Sequence, residues 1–408
     1  MKMSLISALY FFIFFNILFT SFSILDPTDF LALQAIRKSL TDMPGSKFFT
    51  SWDFTSDPCS FTGVNCDSNS NRVIALNLGD STAGSPGLEG RLHPSLGKLS
   101  SLTELTLVPG RVMGALPLTI SNLHHLKFLA ISNNFISGPI PKSFSNLKMI
   151  QTLDLSYNQL TGSIPGPFNK LSSLNNLILC HNHLTGSIPS FFSSKTLLRI
   201  DLKHNNLSGS LLHSSSLPSS LQYLSLSSNQ FSGPVNRVLM QLNRLNYLDL
   251  SQNRFTGPIP DSVFSYPLVN LQLQRNFFSG PVRPLNRVGI KTVDLSYNRL
   301  TGQISSMLSS VQNLYLNNNR FIGQVPGSFV ERLLDEGIEV LYLQHNYLTG
   351  IEINPTAEIP MSSTLCLQYN CMVPPMQAPC PLRAGKQRTR PAEQCIKWKH
   401  KNGGNGQN

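Results

Sequence analysis

The chain has 408 residues and a formal net charge of +11, yet only 13% of its residues are charged, while Leu, Ser and Asn abound. That length suggests two or three domains unless the sequence repeats, so repeats have to be sought first. So little charge beside so many apolar and amide side chains excludes a disordered polyampholyte and fits a fold whose polar groups bond in ladders.

Residues 1–23 read as a secretory signal. Lys2 supplies the positive start, Leu5 to Phe19 is an apolar run, and Ser21 and Ser23 place small residues at alternate positions before the cleavage point. The run is short for a transmembrane anchor, which needs about 20 apolar residues. No later stretch is apolar enough to span a bilayer, and the polar C-terminus carries no hydrophobic lipid-anchor tail. An amphipathic helix is expected around Asp29 to Ile36, followed by Trp52 and the pair Cys59 and Cys66.

From Val73 onward one pattern recurs, L-x-x-L-x-L-x-x-N-x-L-x-G. Its asparagine falls at Asn134, Asn158, Asn182, Asn205, Asn229, Asn253, Asn276, Asn298, Asn319 and Asn346. An earlier unit starting at Leu102 has Gly110 in that place, a degenerate unit begins at Val73, and a last one ends at Asn370. Residues 79–87 insert a Gly/Ser/Pro loop before the first full unit. In Leu153-Asp154-Leu155 the leucines are two apart, so on a strand both face one side, with Asp154, Ser156 and Tyr157 on the other side or at its edge. One unit cannot bury its own leucines, so units must stack, and the ends need caps. The asparagine sits where the chain leaves the strand, where its amide can satisfy backbone groups that are otherwise buried and unpaired.

A second signature follows the asparagine, such as Ser137-Gly-Pro-Ile-Pro141 and Thr256-Gly-Pro-Ile-Pro260. The terminal proline is missing near Leu212, Asn236, Arg283 and Ser305, where irregularity is expected, and Phe329 to Glu336 reads as a short helix. Cys366, Cys371, Cys380 and Cys395 cluster at the end. With Cys59 and Cys66 they indicate two disulfide-stapled caps in an oxidising compartment; the four late cysteines allow three pairings, and Cys180 is left over as a thiol. No His or Cys pair has zinc-finger spacing, so no metal site and no cofactor are expected.

The L-x-G-x-I-P extension and the order Trp52, Asp57-Pro58-Cys59, Gly63-Val64-Asn65-Cys66 resemble the plant extracellular leucine-rich-repeat family. That family includes receptor-like proteins, receptor-kinase ectodomains and polygalacturonase-inhibiting proteins. The resemblance covers about residues 26–371, and neither a kinase nor a transmembrane segment follows it. It implies an α/β leucine-rich-repeat solenoid, a right-handed superhelix of about 12 repeats with a parallel concave β-sheet, disulfide-capped at both ends. The expected organisation is a signal peptide at 1–23, an N-terminal cap at 24–72, repeats at 73–361, a C-terminal cysteine cap at 362–395 and a basic polar tail at 396–408.

In such a solenoid the strand residues facing away from the leucines form the candidate ligand surface. One column runs from Asn133 through Tyr157, His181, His204 and Arg275 to His345; a second from Phe128 through Arg199, Tyr223 and Tyr247 to Asn270; a third from Asp154 through Asp201 and Asp249 to Asp294. Large aromatics beside charges are the composition of interface hot spots. The densest cluster is Arg199, Asp201, Lys203, His204, Tyr223, Tyr247, Asp249 and Arg275. Tyr223 and Tyr247 can also simply stack across adjacent strands, and the adjacent His181 and His204 titrate near pH 6.5 and would repel when charged. A Cys180–His181 nucleophile is discounted because successive strand residues face opposite ways, and no phosphate loop, nucleophile elbow or H-E-x-x-H is present, so no catalytic residue is assigned.

From Pro381 on, seven Lys or Arg stand against one acid, Glu393. The expectation there is a solvated, disordered tail whose charge attracts acidic wall polysaccharide by screened electrostatics, and not nucleic acid. Asn206-Leu207-Ser208 is a glycosylation sequon. The expected function is a secreted module of the apoplast or cell wall that binds a protein or peptide ligand and acts with a membrane receptor kinase. The alternatives are inhibition of a wall-degrading enzyme and a structural wall role.

Overall fold

In the computed structural model the described residues are 25–79, 86–191, 194–211, 217–354, 356–375, 380 and 388–403. The expected signal segment and the core of the 79–87 insertion lie outside them. The chain divides into two compact units, Met1–Gln159 and Leu160–Asn408.

The first unit opens with helix α1, Pro27–Ser39. Its start is set by Asp26, whose carboxylate accepts from the Thr28 and Asp29 amides, and by Pro27 in the first turn. Asp29, fully buried on α1, accepts two bonds from Arg72 at 2.9 and 2.8 Å and one from the Val73 amide. The helix is thereby tied to the first repeat strand. The Trp52 ring stacks on Phe61 at 5.4 Å, and Cys59–Cys66 closes the hairpin beside them. Strands Val73–Leu78, Glu104–Leu107, Phe128–Ile131 and Thr152–Asp154 then pair in parallel, repeat on repeat.

The second unit continues the same plan within itself. Its leucine-bearing strands run from Asn176–Ile178 to Thr364–Cys366, each parallel to the next with repeat-equivalent residues opposite one another. The leucines are buried because the period of two turns them to one face. After each ladder asparagine a further short strand forms, so a second parallel sheet runs from Thr185–Gly186 to Tyr347–Gly350. This sheet is what the L-x-G-x-I-P extension builds. Its glycine takes a positive φ, as at Gly257 (79°) and Gly302 (83°), which lets the strand bend. The following proline leads into a one-turn 3-10 helix at Gly166–Lys170 and Asp261–Ser265.

Where that proline is missing the return leg changes. Near Asn236 a short helix α2, Asn236–Leu239, forms, and before Ser306–Ser310 the Ser305 hydroxyl accepts from the Met307 amide. The helix expected at 329–336 is α3, Gly327–Leu334. Phe231, Phe255 and Phe278 stack inside successive repeats at 6.1 and 6.3 Å.

The late cysteines pair as Cys366–Cys380 and Cys371–Cys395. Cys180 is in no disulfide and is buried. Residues 388–403, the described part of the C-terminal segment, differ from the disordered tail expected from its charge. Helix α4, Ala392–Gly403, runs across the expected boundary at 395/396. Its start is stapled to the last repeat by Cys395, and Trp398 packs on the Tyr347 ring at 4.6 Å.

Candidate functional site

From Phe128–Ile131 onward each repeat strand leads into a residue of left-handed conformation, and this column is the first one read from the sequence. In the second unit it comprises His181, His204, Ser228, Gln252, Arg275, Tyr297, Asn318, His345 and Tyr369, with φ between 53 and 60°. A non-glycine residue there costs roughly 1–2 kcal/mol, and the surrounding bonds hold it. The His204 amide donates to the Ser227 carbonyl at 2.9 Å, and the next amide, that of Asn205, donates to Ser228 at 3.3 Å. The asparagine beside each such residue does as expected. Asn229 donates to the carbonyls of Leu202, Leu226 and Ser227 and accepts from the Leu207 amide. In the first unit Gly110 omits this rung; a Cβ there would stand 2.5 Å from the Leu88 carbonyl oxygen.

The second and third columns meet at three adjacent strands, Arg199–Asp201, Tyr223–Ser225 and Tyr247–Asp249, with Arg199, Tyr223 and Tyr247 opposite one another. The Tyr223 and Tyr247 rings are stacked at 4.3 Å and 5° from parallel. The Arg199 guanidinium lies over the other face of Tyr223, 4.0 Å from its centroid. One carboxylate holds this layer from below: Asp201 Oδ2 accepts from Arg199 Nη2 at 3.1 Å and from the Tyr223 hydroxyl at 3.4 Å. Burial, reinforced by Asp201 and Tyr247, holds the Tyr223 phenol well above the usual tyrosine range, with Arg199 opposing. Burial does the same to Tyr247, reinforced by Asp249. Arg199 Nε, Asp201 Oδ1 and Ser225 Oγ are buried without a hydrogen-bond partner in the protein, a group of polar atoms at the foot of the stack.

The eight candidate residues therefore do not form one exposed patch. Asp201 and Asp249 are 2% and 6% exposed. Asp249 caps its own turn, accepting from the Ser251 amide and hydroxyl at 3.0 and 2.7 Å. Asp249 is drawn inward by its own turn, whereas Asp201 lies beneath the Arg199 and Tyr223 side chains that it bonds. Ser156, expected on the open side or its edge, is buried in a turn like that of Asp249, bonded to Asp154. Arg275 also separates from the group. It lies three repeats beyond Arg199, and its guanidinium covers Tyr297 at 4.5 Å, in the next repeat and away from Tyr247.

Lys203 and His204 lie at the edge beside the stack. His204 is exposed and stacks on His181 at 4.3 Å and 21°. Partial burial, then His204 and then Lys203, lower the His181 pKa below 6.5, against a smaller opposing pull from Asp201. Asn206 of the sequon is exposed at the start of the strand Asn206–Ser210.

One column escaped the sequence reading, although the same alignment contains it: the residue after each ladder asparagine. It starts the second-sheet strands and reads Gln230, Arg254, Phe277, Arg299, Arg320 and Tyr347 through the later repeats. The leucine period gave no reason to place a second sheet there.

Comparison with known proteins covers the N-terminal cap and the repeats. The description "Leucine rich repeat N-terminal domain" matches residues 26–67, and leucine-rich-repeat descriptions match residues 96–160, 172–231, 244–265 and 289–311. Phytosulfokine receptor 1 of Arabidopsis thaliana is 35% identical over 102 residues, 24% of this chain and 10% of that protein. Among solved structures, PEPR1 with AtPEP1 matches with a TM-score of 0.67 at 28% identity, over 85% of this chain and 52% of that one. A plant ice-binding protein matches with a TM-score of 0.56 at 28% identity, over 83% of this chain and 99% of that one. The chain thus spans about a tenth of the curated receptor and about half of the PEPR1 chain. Among the described residues no helix is long and apolar enough to cross a membrane.

Proposed function

We propose, from the premise that this chain belongs to the leucine-rich-repeat family, that it is an extracellular binding module of plant recognition or signalling, with Arg199, Tyr223 and Tyr247 as its protein- or peptide-contacting surface. The observation that carries this reading is the planar stack itself. The Arg199 guanidinium and the Tyr223 phenol share one buried carboxylate, and the Tyr247 ring stacks on Tyr223, so less side-chain entropy is lost when a partner packs on them. Three disulfides fit an oxidising, extracellular compartment. The structural match to PEPR1 in its complex with AtPEP1 supports a ligand-binding use of the fold, and the equally identical ice-binding protein, matched over nearly its whole length, shows that the same fold also serves another kind of binding.

Nothing in this surface resembles a catalytic constellation, so the proposed role is binding, with signalling left to a partner such as a membrane receptor kinase. The test is recovery of membrane kinases on the purified, secreted full-length protein. Replacing Tyr223 and Tyr247 together with Ala is expected to lower recovery at least tenfold while the thermal unfolding midpoint moves by only a few degrees. Equal recovery by the double variant overturns the assignment. Dose-dependent inhibition of a polygalacturonase by the native protein, lost in the same variant, replaces it with the inhibitor reading.

A further inference from the structure

The column missed from the sequence carries three arginines and no acid. Arg254, Arg299 and Arg320 occupy it at repeat-equivalent positions, and Arg275 lies beside it on the left-handed column. All four are exposed, and none lies within ion-pair distance of a carboxylate among the described residues. Flat rings alternate with them. Arg299 covers Phe277 at 4.4 Å and Arg275 covers Tyr297 at 4.5 Å, while Phe277 and Tyr297 remain 40% and 45% exposed.

We propose that this strip is a binding surface for a linear acidic polysaccharide, a polyuronate, running across successive repeats. The charge calls for a polyanion, and a guanidinium can take a carboxylate with two parallel bonds. The periodicity calls for a ligand that repeats. The rings call for flat, weakly polar faces, which pyranose rings present and a chain of acidic side chains does not. An extended peptide is the poorer fit, because the strand backbones beneath the strip are already paired within the second sheet and offer no free edge to augment. The strip is bounded at Tyr347, whose ring Trp398 and Arg390 already cover at 4.6 and 4.0 Å. Arg390 also donates to the Asn346 carbonyl at 2.9 Å, so this arginine of the C-terminal run serves the fold. We place polyanion binding on the repeats, and at the end of the strip the Arg320 guanidinium lies 5.6 Å from the centre of the Trp398 ring. The strip is independent of the Arg199–Tyr223–Tyr247 surface.

The test uses the full-length secreted protein with three probes of matched length: polygalacturonate, its fully methyl-esterified form and poly-glutamate. Native protein is expected to bind polygalacturonate with an affinity that falls steeply with salt, and to bind the neutral ester at least tenfold more weakly. Arg254→Gln, Arg299→Gln and Arg320→Gln together are expected to cost at least tenfold and to flatten the salt dependence, whereas Lys397→Gln with Lys399→Gln costs less than twofold. Phe277→Ala is expected to weaken polygalacturonate severalfold and leave poly-glutamate unchanged. Unchanged binding in the triple arginine variant, or loss confined to the lysine variant, overturns the site. Equal binding of poly-glutamate and polygalacturonate overturns the polysaccharide.

Discussion

At the scale of single residues, the same repeat position carries different duties according to what stands beside it. Asp201 supports a cation and a phenol, Asp249 and Asp154 cap their own turns, and only the contacts separate them. His181 is the residue with a clear pH consequence. Its folded pKa lies below 6.5, so as the pH falls through 6.5 the unfolded chain takes the proton first and folding weakens. Once the pH has dropped past the depressed folded value the loss is complete. The native protein is therefore expected to lose thermal stability on acidification just below pH 6.5, and His181→Gln to flatten that slope; equal slopes in both proteins remove the assignment. The alternation of columns was legible in the sequence because strand period two needs no partner to be recognised. The inward turn of the carboxylates was not, since it depends on hydrogen bonds to a serine for Asp249 and to Arg199 and Tyr223 for Asp201, whose geometry the spacing leaves open.

At the scale of elements, the asparagine rung is the unit of construction, joining three carbonyls and one amide across neighbouring repeats. Asn229→Ala leaves the Leu207 amide and the carbonyls of Leu202, Leu226 and Ser227 without that partner. Leaving buried groups unsatisfied costs about 1–3 kcal/mol, and about 3 kcal/mol is expected here because several groups are involved. Denaturant unfolding checks the total, and faster hydrogen exchange at the Leu207 amide checks that the loss is local. Substitution without either change would mean that the rung is dispensable. The first strand of each repeat was readable from its leucine pair. The second was hidden, because its glycine and proline read as turn chemistry, and only stacking supplies the partner that makes it a strand.

For the molecule, stability is distributed along the stack within each unit, and the ends decide whether it holds. Asp29 with Arg72 closes the beginning of the first unit, and two disulfides with α4 close the end of the second. The Cys371–Cys395 link joins residues 24 apart and tethers α4. Replacing both cysteines with Ser is expected to cost about 3 kcal/mol by the loop-entropy estimate and to expose Tyr347 and Trp398. Lower thermal stability together with a red-shifted tryptophan emission checks this. An unchanged emission spectrum would show that the ring stack holds α4 unaided.

The sequence by itself determined the repeat, its asparagine ladder, the disulfide-bearing caps and the columns of side chains, because each follows from period and residue type within one unit. Tertiary structure alone decided which cysteines pair, which aspartates turn inward, that Arg275 leaves the candidate patch, and that the charged C-terminal segment is a docked helix. The physical reason is the same in each case. Those outcomes depend on three-dimensional contacts, with the neighbouring repeat for Arg275 and Asp201, within a turn for Asp249, and across the C-terminal cap for the cysteines and Trp398. Residue type and spacing do not encode their geometry.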